Sequence, residues 1–391
     1  MSAIFSSQDS TFMAEALQLA ARGLYSTQPN PRVGCVIVKN QKIIGRGAHL
    51  KAGEPHAEVY ALREAGAAAE GADVYVTLEP CSHTGRTPPC MNALVAAKVK
   101  RVIVAMQDPN PLVAGRGIAF LTSQGIQVEI GLMQQEAEAL NVGFVKRMRA
   151  QMPFVRSKVA ASLDGKTALN NGKSQWITSP ASRNDVQHWR AQSCAILTGI
   201  GTVLADDPSM TVRAFKTPSP LTGEGWGEGE MIRQPTRVIV DSRLQISAEA
   251  KILQKTSANE RVIVVYAEKS PQHDAKKAKL QAHGVELWCL PLVHLEKPQV
   301  DLPAMFKALA RDGVNEVLVE AGQTLNGALL AQGLIDELIL YYAPKLMGHD
   351  AQGMFAMPPL TAMTQAISLQ LLDVRQVGID IRLRAKPIIP S

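Results

Sequence analysis

Short runs of β-branched and aliphatic residues recur along this chain, most of them followed by a stretch of helical periodicity. That alternation confines it to an α/β fold. VGCVIVK (33–39) and KIIGRGAH (42–49) read as a hairpin around Asn40-Gln41. HAEVYALREAGAAAE (56–70) reads as a helix, DVYVTL (73–78) as a strand, CMNALVAAKVK (90–100) as a helix and RVIVAM (101–106) as a strand. Upstream, Asp9 or Ser10 caps a helix whose Met13, Leu17, Ala20 and Ala21 recur at helical spacing. IQVEI (126–130) and a helix near 134–147 close a helix–sheet sandwich. A second series follows: FVRSKVAASLDG (154–165), CAILTG, TRVIVD, RVIVVY, VELWCL, NEVLVE and DELILYYA. Helical patterns separate most of these strands, which predicts a largely parallel sheet. The 391 residues suit two domains, 1–150 and 151–391, divided near the basic stretch KRMRAQMP. A Gly- and Pro-rich stretch at about 215–233 has no periodicity and reads as a flexible insertion, with Trp226 in a solvated loop.

Composition removes several function classes. Aromatic residues make up 5% of the chain, too few to build stacking platforms for single-stranded nucleic acid. The net charge of +6 comes without a Lys/Arg run and suits an anionic small substrate. No apolar run is long enough to cross a membrane, and MSAIFSSQDS lacks the features of a signal peptide. A cytoplasmic protein is therefore expected, with its five cysteines reduced or metal-bound. Neither nucleic acid nor membrane is expected as a partner; a homo-oligomer is.

One constellation carries chemistry. His56-Ala57-Glu58 opens a helix after Pro55, Pro80-Cys81 follows a strand, and Cys90 starts a helix after Pro88-Pro89. One imidazole and two thiolates supply three zinc ligands and leave a fourth position for water, the arrangement of a catalytic site. The helix start at Cys90 favours its thiolate. Bound zinc lowers the pKa of water towards neutrality. Glu58, itself no ligand, is placed to take that proton and deliver it to a leaving amine. H-x-E with P-C-x-x-C marks nucleobase deaminases, but here eight residues separate Cys81 from Cys90. Cys35, Cys194 and Cys289 read as core.

The stretch P-C-S-H-T-G-R-T-P-P-C (80–90), with Asn30-Pro31-x-Val33-Gly34 and Gly53-Glu54-Pro55-His56-Ala57-Glu58, resembles the bifunctional deaminase–reductase family of bacterial riboflavin biosynthesis. The resemblance spans nearly the whole chain. It implies a cytidine-deaminase-like α/β/α sandwich that removes the 2-amino group of a diaminopyrimidinone bearing ribosylamine 5-phosphate. In that reading His56, Cys81 and Cys90 hold one zinc ion per chain and Glu58 shuttles protons. Asn30 matches a pyrimidine-contacting position, while His49, His83 and Arg86 stand where pocket polar groups are expected. Their plainer readings are a turn amide, satisfied histidines and a surface arginine.

The second half lacks the dinucleotide fingerprint, since Leu204 replaces the third glycine after Gly199-Ile200-Gly201. VLVEAGQTLNGALL (317–330) places a helix start at Gly322–Thr324, where backbone N–H groups attract an anion. The same resemblance implies a dihydrofolate-reductase-like α/β domain that uses NADPH to reduce the ribosyl chain to ribityl. It is carried by Lys158-x3-Ser162-Leu163-Asp164-Gly165, Ser174–Thr178, Thr202–Pro208 and Glu320-Ala321-Gly322. By that match Ala160, Trp176, Thr202, Asp206, Ser242, Gly322, Gln323, Thr324, Leu325, Asn326, Gly327 and Ala328 contact the cofactor. Ser174, Arg190, Met210, Arg213 and Glu320 hold the substrate, the arginines because a guanidinium fork suits a phosphate. Plainer readings put Trp176 in the core, make Asp206-Asp207-Pro208 a turn and pair Arg190 with a surface acid. Asp206 and Lys158 both stand open as proton donor. Two rivals are a deaminase of tRNA or free nucleosides, and a zinc-stabilised binding module with a catalytically dead second half.

Overall fold

The structure, a computed structural model, describes residues 5–82, 89–111, 113–213, 233–267, 274–293 and 299–388. His83, Arg86 and Trp226 lie outside the described residues, as does nearly all of the expected insertion. Two compact units divide between Gln151 and Met152.

In the first unit α1 (Ser7–Ala21) opens with a capping box, and the cap is Ser6 instead of Asp9 or Ser10. The Ser6 hydroxyl accepts from Asp9 N at 3.1 Å, and the Asp9 carboxylate accepts from Ser6 N at 2.8 Å. Asp9 is thus the third residue of the helix, and Tyr75 and Arg101 bind its other oxygen. β1 (Gly34–Lys39) and β2 (Lys42–Ala48) form the expected hairpin. Asn40 and Gln41 both take positive φ, the backbone a tight two-residue turn requires. There follow α2 (Ala57–Ala65), β3 (Asp73–Leu78), α3 (Cys90–Ala96), β4 (Arg101–Met106), α4 (Arg116–Ser123), β5 (Gln127–Ile130), α5 (Gln134–Leu140) and α6 (Val142–Ala150).

The sheet runs β2-β1-β3-β4-β5, with β3, β4 and β5 parallel and β1 antiparallel to both neighbours. The parallel β4–β5 pair needs a crossover, and α4, which the sequence pattern did not reveal, supplies it. The single helix expected near 134–147 is two. Asn141 breaks it, because its side chain clamps Arg32 by accepting from Arg32 N at 2.8 Å and donating to Arg32 O at 3.0 Å. Alternate side chains of β1 feed two cores: Val36 and Val38 pack with Met13, Ala16 and Leu19 of α1, whereas Cys35 and Ile37 pack with Ala57 and Ala61 of α2. Glycine makes both contacts close. A Cβ on Gly34 would lie 1.9 Å from Ala16 O, and one on Gly47 1.9 Å from Ala57 O.

The second unit contains β6 (Phe154–Ser162), β7 (Lys166–Ala168), α7 (Pro180–Gln192), β8 (Ala195–Gly199), α8 (Ile200–Asp206), β9 (Thr236–Val240) and β10 (Val262–Ala267). Next come α9 (Asp274–Ala282), β11 (Glu286–Leu290), β12 (Leu292–Val293), β13 (Gln299–Val300), α10 (Leu302–Arg311), β14 (Glu316–Val319) and α11 (Gln323–Ala331). It closes with β15 (Glu337–Ala343), β16 (Gln352–Gly353), β17 (Ser368–Val377) and β18 (Asp380–Ile388). The main sheet has the order β11-β10-β9-β8-β14-β6-β15-β18-β17, while β12 pairs with β13 and β7 with β16. From β11 to β15 the strands are parallel; the terminal β17–β18 hairpin is antiparallel.

Because β14 returns between β8 and β6, the direction of winding reverses there. The carboxyl ends of β6, β8 and β14 therefore border a crevice of the kind that binds ligands in open α/β sheets. Cys35 and Cys194 are buried as expected, but Cys289 is exposed. It lies on β11, the edge strand of the sheet among the described residues.

Candidate functional site

Both candidate sites sit at the carboxyl ends of parallel strands. In the first unit His56 is the N-cap of α2, with extended backbone, and Glu58 lies in the first helical turn. Cys81 follows the end of β3, and Cys90 begins α3. His56 Nδ1 is 3.2 Å from Cys90 Sγ and 3.5 Å from Cys81 Sγ. All three donor atoms lie within 4.8 Å of one another. Two sulfurs and one imidazole nitrogen so arranged fit a zinc ion with one coordination position open.

Hydrogen bonds from the Cys90 thiol, His56 and Cys90 N hold Cys81 below the ordinary thiol value, against the effect of burial. Cys90 is pushed up because it donates to Cys81 and is buried. Burial raises the Glu58 carboxyl to about 7, reinforced by the negative Cys81. A carboxyl poised there exchanges a proton readily at neutral pH.

Asn30 and His49 are brought to the same place. Asn30 Nδ2 lies 3.1 Å from His49 Nε2, and the His49 ring packs edge-on to His56 with centroids 5.3 Å apart. His49 Nδ1 is 3.2 Å from Pro55 O, which only accepts, so Nδ1 carries the hydrogen and Nε2 accepts from Asn30. That fixes the Asn30 amide and leaves its oxygen for a donor on a ligand.

In the second unit Glu320 follows β14 and is buried. It meets Arg190 in a two-pronged pair, Oε1 to Nε at 2.6 Å and Oε2 to Nη2 at 3.0 Å, with Lys158 Nζ 3.4 Å from Oε2. Burial alone would raise its carboxyl, but Arg190 and Lys158 hold it at about 2. Arg190 also donates to Thr211 O and lies 3.8 Å from Met210 Sδ. Its fork is thus turned to an acid, but to a buried one and not to the surface acid of the plainer reading. Arg213 exposes its side chain, while its backbone N–H donates to Gln187.

α11 starts at Gly322 with no side-chain cap, which leaves its first N–H groups to an outside acceptor. Gly322 and Thr324 are exposed, and Thr202 Oγ1 lies 3.9 Å from where a Gly322 Cβ would be. These features fit an anionic cofactor. Asn326 and Gly327 face inward instead: Asn326 accepts from Ser157 Oγ and donates to Ala321 O, and Gly327 admits Ala356 O to 2.2 Å from a would-be Cβ. The Ser242 hydroxyl accepts from Val300 N at 3.2 Å. Ser174 Oγ reaches Asp206 Oδ1 at 3.4 Å, and Asp207, with φ of 40°, turns the chain just beyond. Trp176 is 63% exposed, not core, and stacks under Arg183. Ala160, near the end of β6, and Leu325 and Ala328 on α11 are half-buried.

The family model for the cytidine and deoxycytidylate deaminase zinc-binding region matches residues 6–106, and that for the RibD C-terminal domain matches residues 153–383. The riboflavin biosynthesis protein RibD of Escherichia coli is 48% identical over 376 residues, 96% of this chain and 98% of that protein. This chain belongs to the RibD family. RibD of Haemophilus influenzae is 46% identical over 383 residues, 98% of each chain. The solved RibD of Acinetobacter baumannii superposes with a TM-score of 0.86 at 48% identity, over 97% of this chain and 99% of that one. A Thermotoga maritima diaminohydroxyphosphoribosylaminopyrimidine deaminase/5-amino-6-(5-phosphoribosylamino)uracil reductase reaches 0.81 at 30% identity, over 97% and 99%.

As a member of this family the chain is a bifunctional enzyme of riboflavin biosynthesis, a zinc-dependent deaminase joined to an NADPH-dependent reductase. The readings as a tRNA deaminase or a catalytically dead binding module give way to that. No helix among the described residues is long and apolar enough to cross a membrane.

Sequence reasoning missed Glu79, which stands between β3 and Pro80-Cys81 and is 3% exposed. Its position directly before the ligand motif is the one local signal for it.

Proposed function

We propose that residues 1–150 hydrolyse the 2-amino group of 2,5-diamino-6-(5-phosphoribosylamino)pyrimidin-4(3H)-one to give 5-amino-6-(5-phosphoribosylamino)uracil, and that residues 151–391 reduce its ribosyl chain to ribityl. The observation that carries this is the His56, Cys81 and Cys90 cluster with a buried carboxyl, Glu58, in the helical turn that follows His56. When bound there, zinc supplies Lewis-acid activation of water. Glu58 takes the proton and returns it to the leaving ammonia. Asn30, held by His49, aligns the pyrimidine.

In the reductase, NADPH supplies the hydride that goes to C1 of the sugar. Gly322, Gln323 and Thr324 offer backbone N–H groups to its phosphates, with Ala160, Trp176, Thr202, Asp206, Ser242, Leu325 and Ala328 shaping the rest of the cleft. Ser174, Met210 and the Arg190–Glu320 pair line the substrate side. Arg213 grips the ribose phosphate. The enzyme acts in the cytoplasm as a homo-oligomer; exposed Leu369, Leu371, Leu372 and Val374 on the edge strand β17 support self-association.

Incubation of the full chain with the diaminopyrimidinone ribosyl phosphate, followed by mass spectrometry, tests the reading. The deaminated product is expected without NADPH and the ribityl product only with it. Recovery of unchanged substrate in both arms would overturn it. Arg213→Ala should raise the KM for the deaminated intermediate about tenfold, the loss of one charge-assisted hydrogen bond. NADPH binding should be unaltered; a defect confined to NADPH titration would move Arg213 to the cofactor.

A further inference from the structure

Glu79 is the residue by which the fold fixes the Cys81 end of the metal site. Its Oε2 accepts from Asp108 N at 3.1 Å and Gly115 N at 3.0 Å; its Oε1 accepts from Gly117 N at 2.9 Å and Ile118 N at 3.4 Å. One buried carboxylate thus gathers four backbone donors from the segment after β4 and the first turn of α4. Charge-assisted bonds of this kind are short and directional, and the helix start adds a favourable field. The Glu79 backbone is held too, donating to Met106 O at 3.0 Å and so extending the β3–β4 ladder past the end of β3.

A second contact closes the clamp. A Cβ on Gly117 would lie 2.2 Å from Pro80 O, so the start of α4 rests directly on the carbonyl that precedes Cys81. Residues 79 and 80 are therefore gripped by side chain and backbone at once, immediately before Cys81 in the chain.

We infer that Glu79 is a positioning residue for the metal centre, setting where the Cys81 sulfur stands relative to His56 and Cys90. The inference rests on reading those three residues as zinc ligands. Groups that orient ligands without binding metal affect affinity by about 10–100-fold when removed. Glu79→Gln keeps the shape, but its amide NH2 meets backbone N–H donors where an oxygen stood. Gly117→Ala leaves the charge intact and pushes α4 off Pro80.

The test uses the full-length chain with cobalt(II) in place of zinc, together with zinc affinity from chelator competition. Wild type should show thiolate-to-cobalt charge transfer; its absence would sink the zinc reading itself. Given that band, Glu79→Gln and Gly117→Ala should each weaken zinc by about 10–100-fold and shift the cobalt d–d bands. Glu79→Asp, which keeps the carboxylate, should fall between. Reductase turnover should stay at the wild-type rate, and loss of both activities together would mark a general folding defect and count against the inference. Unchanged affinity and spectra in the variants, with a normal wild-type band, would overturn it. If Glu79→Gln yields no folded protein, Gly117→Ala decides.

Discussion

Glu58→Gln should release ammonia at least about 100-fold more slowly than wild type, and as much as 10⁴-fold, the range spanned by positioned general acid–base groups. The amide has nearly the same volume, so the buried pocket at the start of α2 stays filled. It neither takes a proton from water nor returns one to nitrogen. His56, Cys81 and Cys90 are untouched, and zinc content should stay at one per chain. Reduction of the already deaminated intermediate should proceed normally. Ammonia release, zinc content and NADPH oxidation measured on one preparation separate the outcomes: near-normal ammonia release would remove Glu58 from the proton path, whereas lost zinc would mean that it supports the metal.

The second large effect concerns stability. Arg190→Met leaves Glu320 buried against Lys158 alone, and stripping one partner from such a pair costs about 3–5 kcal/mol. For a unit of this size that is a fall in Tm on the order of 10 °C. Glu320→Gln added to Arg190→Met should recover part of the loss, because no buried charge is left without its main partner. The pH dependence has a definite sign. Glu320 is held at about 2, below the ordinary 4.5. The pair therefore stabilises the fold fully above the ordinary carboxylate range, and this is lost as pH falls towards 2. In Arg190→Met that acid-side loss should shrink. If the variant instead melts within about 2 °C of wild type while KM for the sugar phosphate rises tenfold, Arg190 is a phosphate ligand and its pairing with Glu320 is incidental.

What the sequence revealed and what it hid follow from distance along the chain. The hairpin at Asn40-Gln41 and the His56-x-Glu58 triplet are local patterns, and local patterns are readable. The paired cysteines have eight residues between them but are flanked by prolines that mark the strand end and helix start. Glu79 has nothing comparable: its partners lie 29 to 39 residues away. Arg190 and Glu320 are 130 residues apart, and no spacing announces them. Cys289 sits in an apolar run like those of the core strands. Only the sheet order, which places β11 at the edge, exposes it.

The close seating of α1 and α2 on the sheet has a consequence for redesign. Gly34 and Gly47 let two helices meet neighbouring strands with no side chain between the backbones, and α2 carries Glu58, the proposed proton shuttle, just after its N-cap His56, a proposed metal ligand. Such a joint has no adjustable spacer. A larger residue moves the helix as a rigid rail, and His56 and Glu58 travel with it. Attempts to widen the deaminase towards other aminopyrimidines should therefore leave these helix–strand seams unaltered and vary the connecting loops, where a change in shape need not be transmitted to the reacting groups.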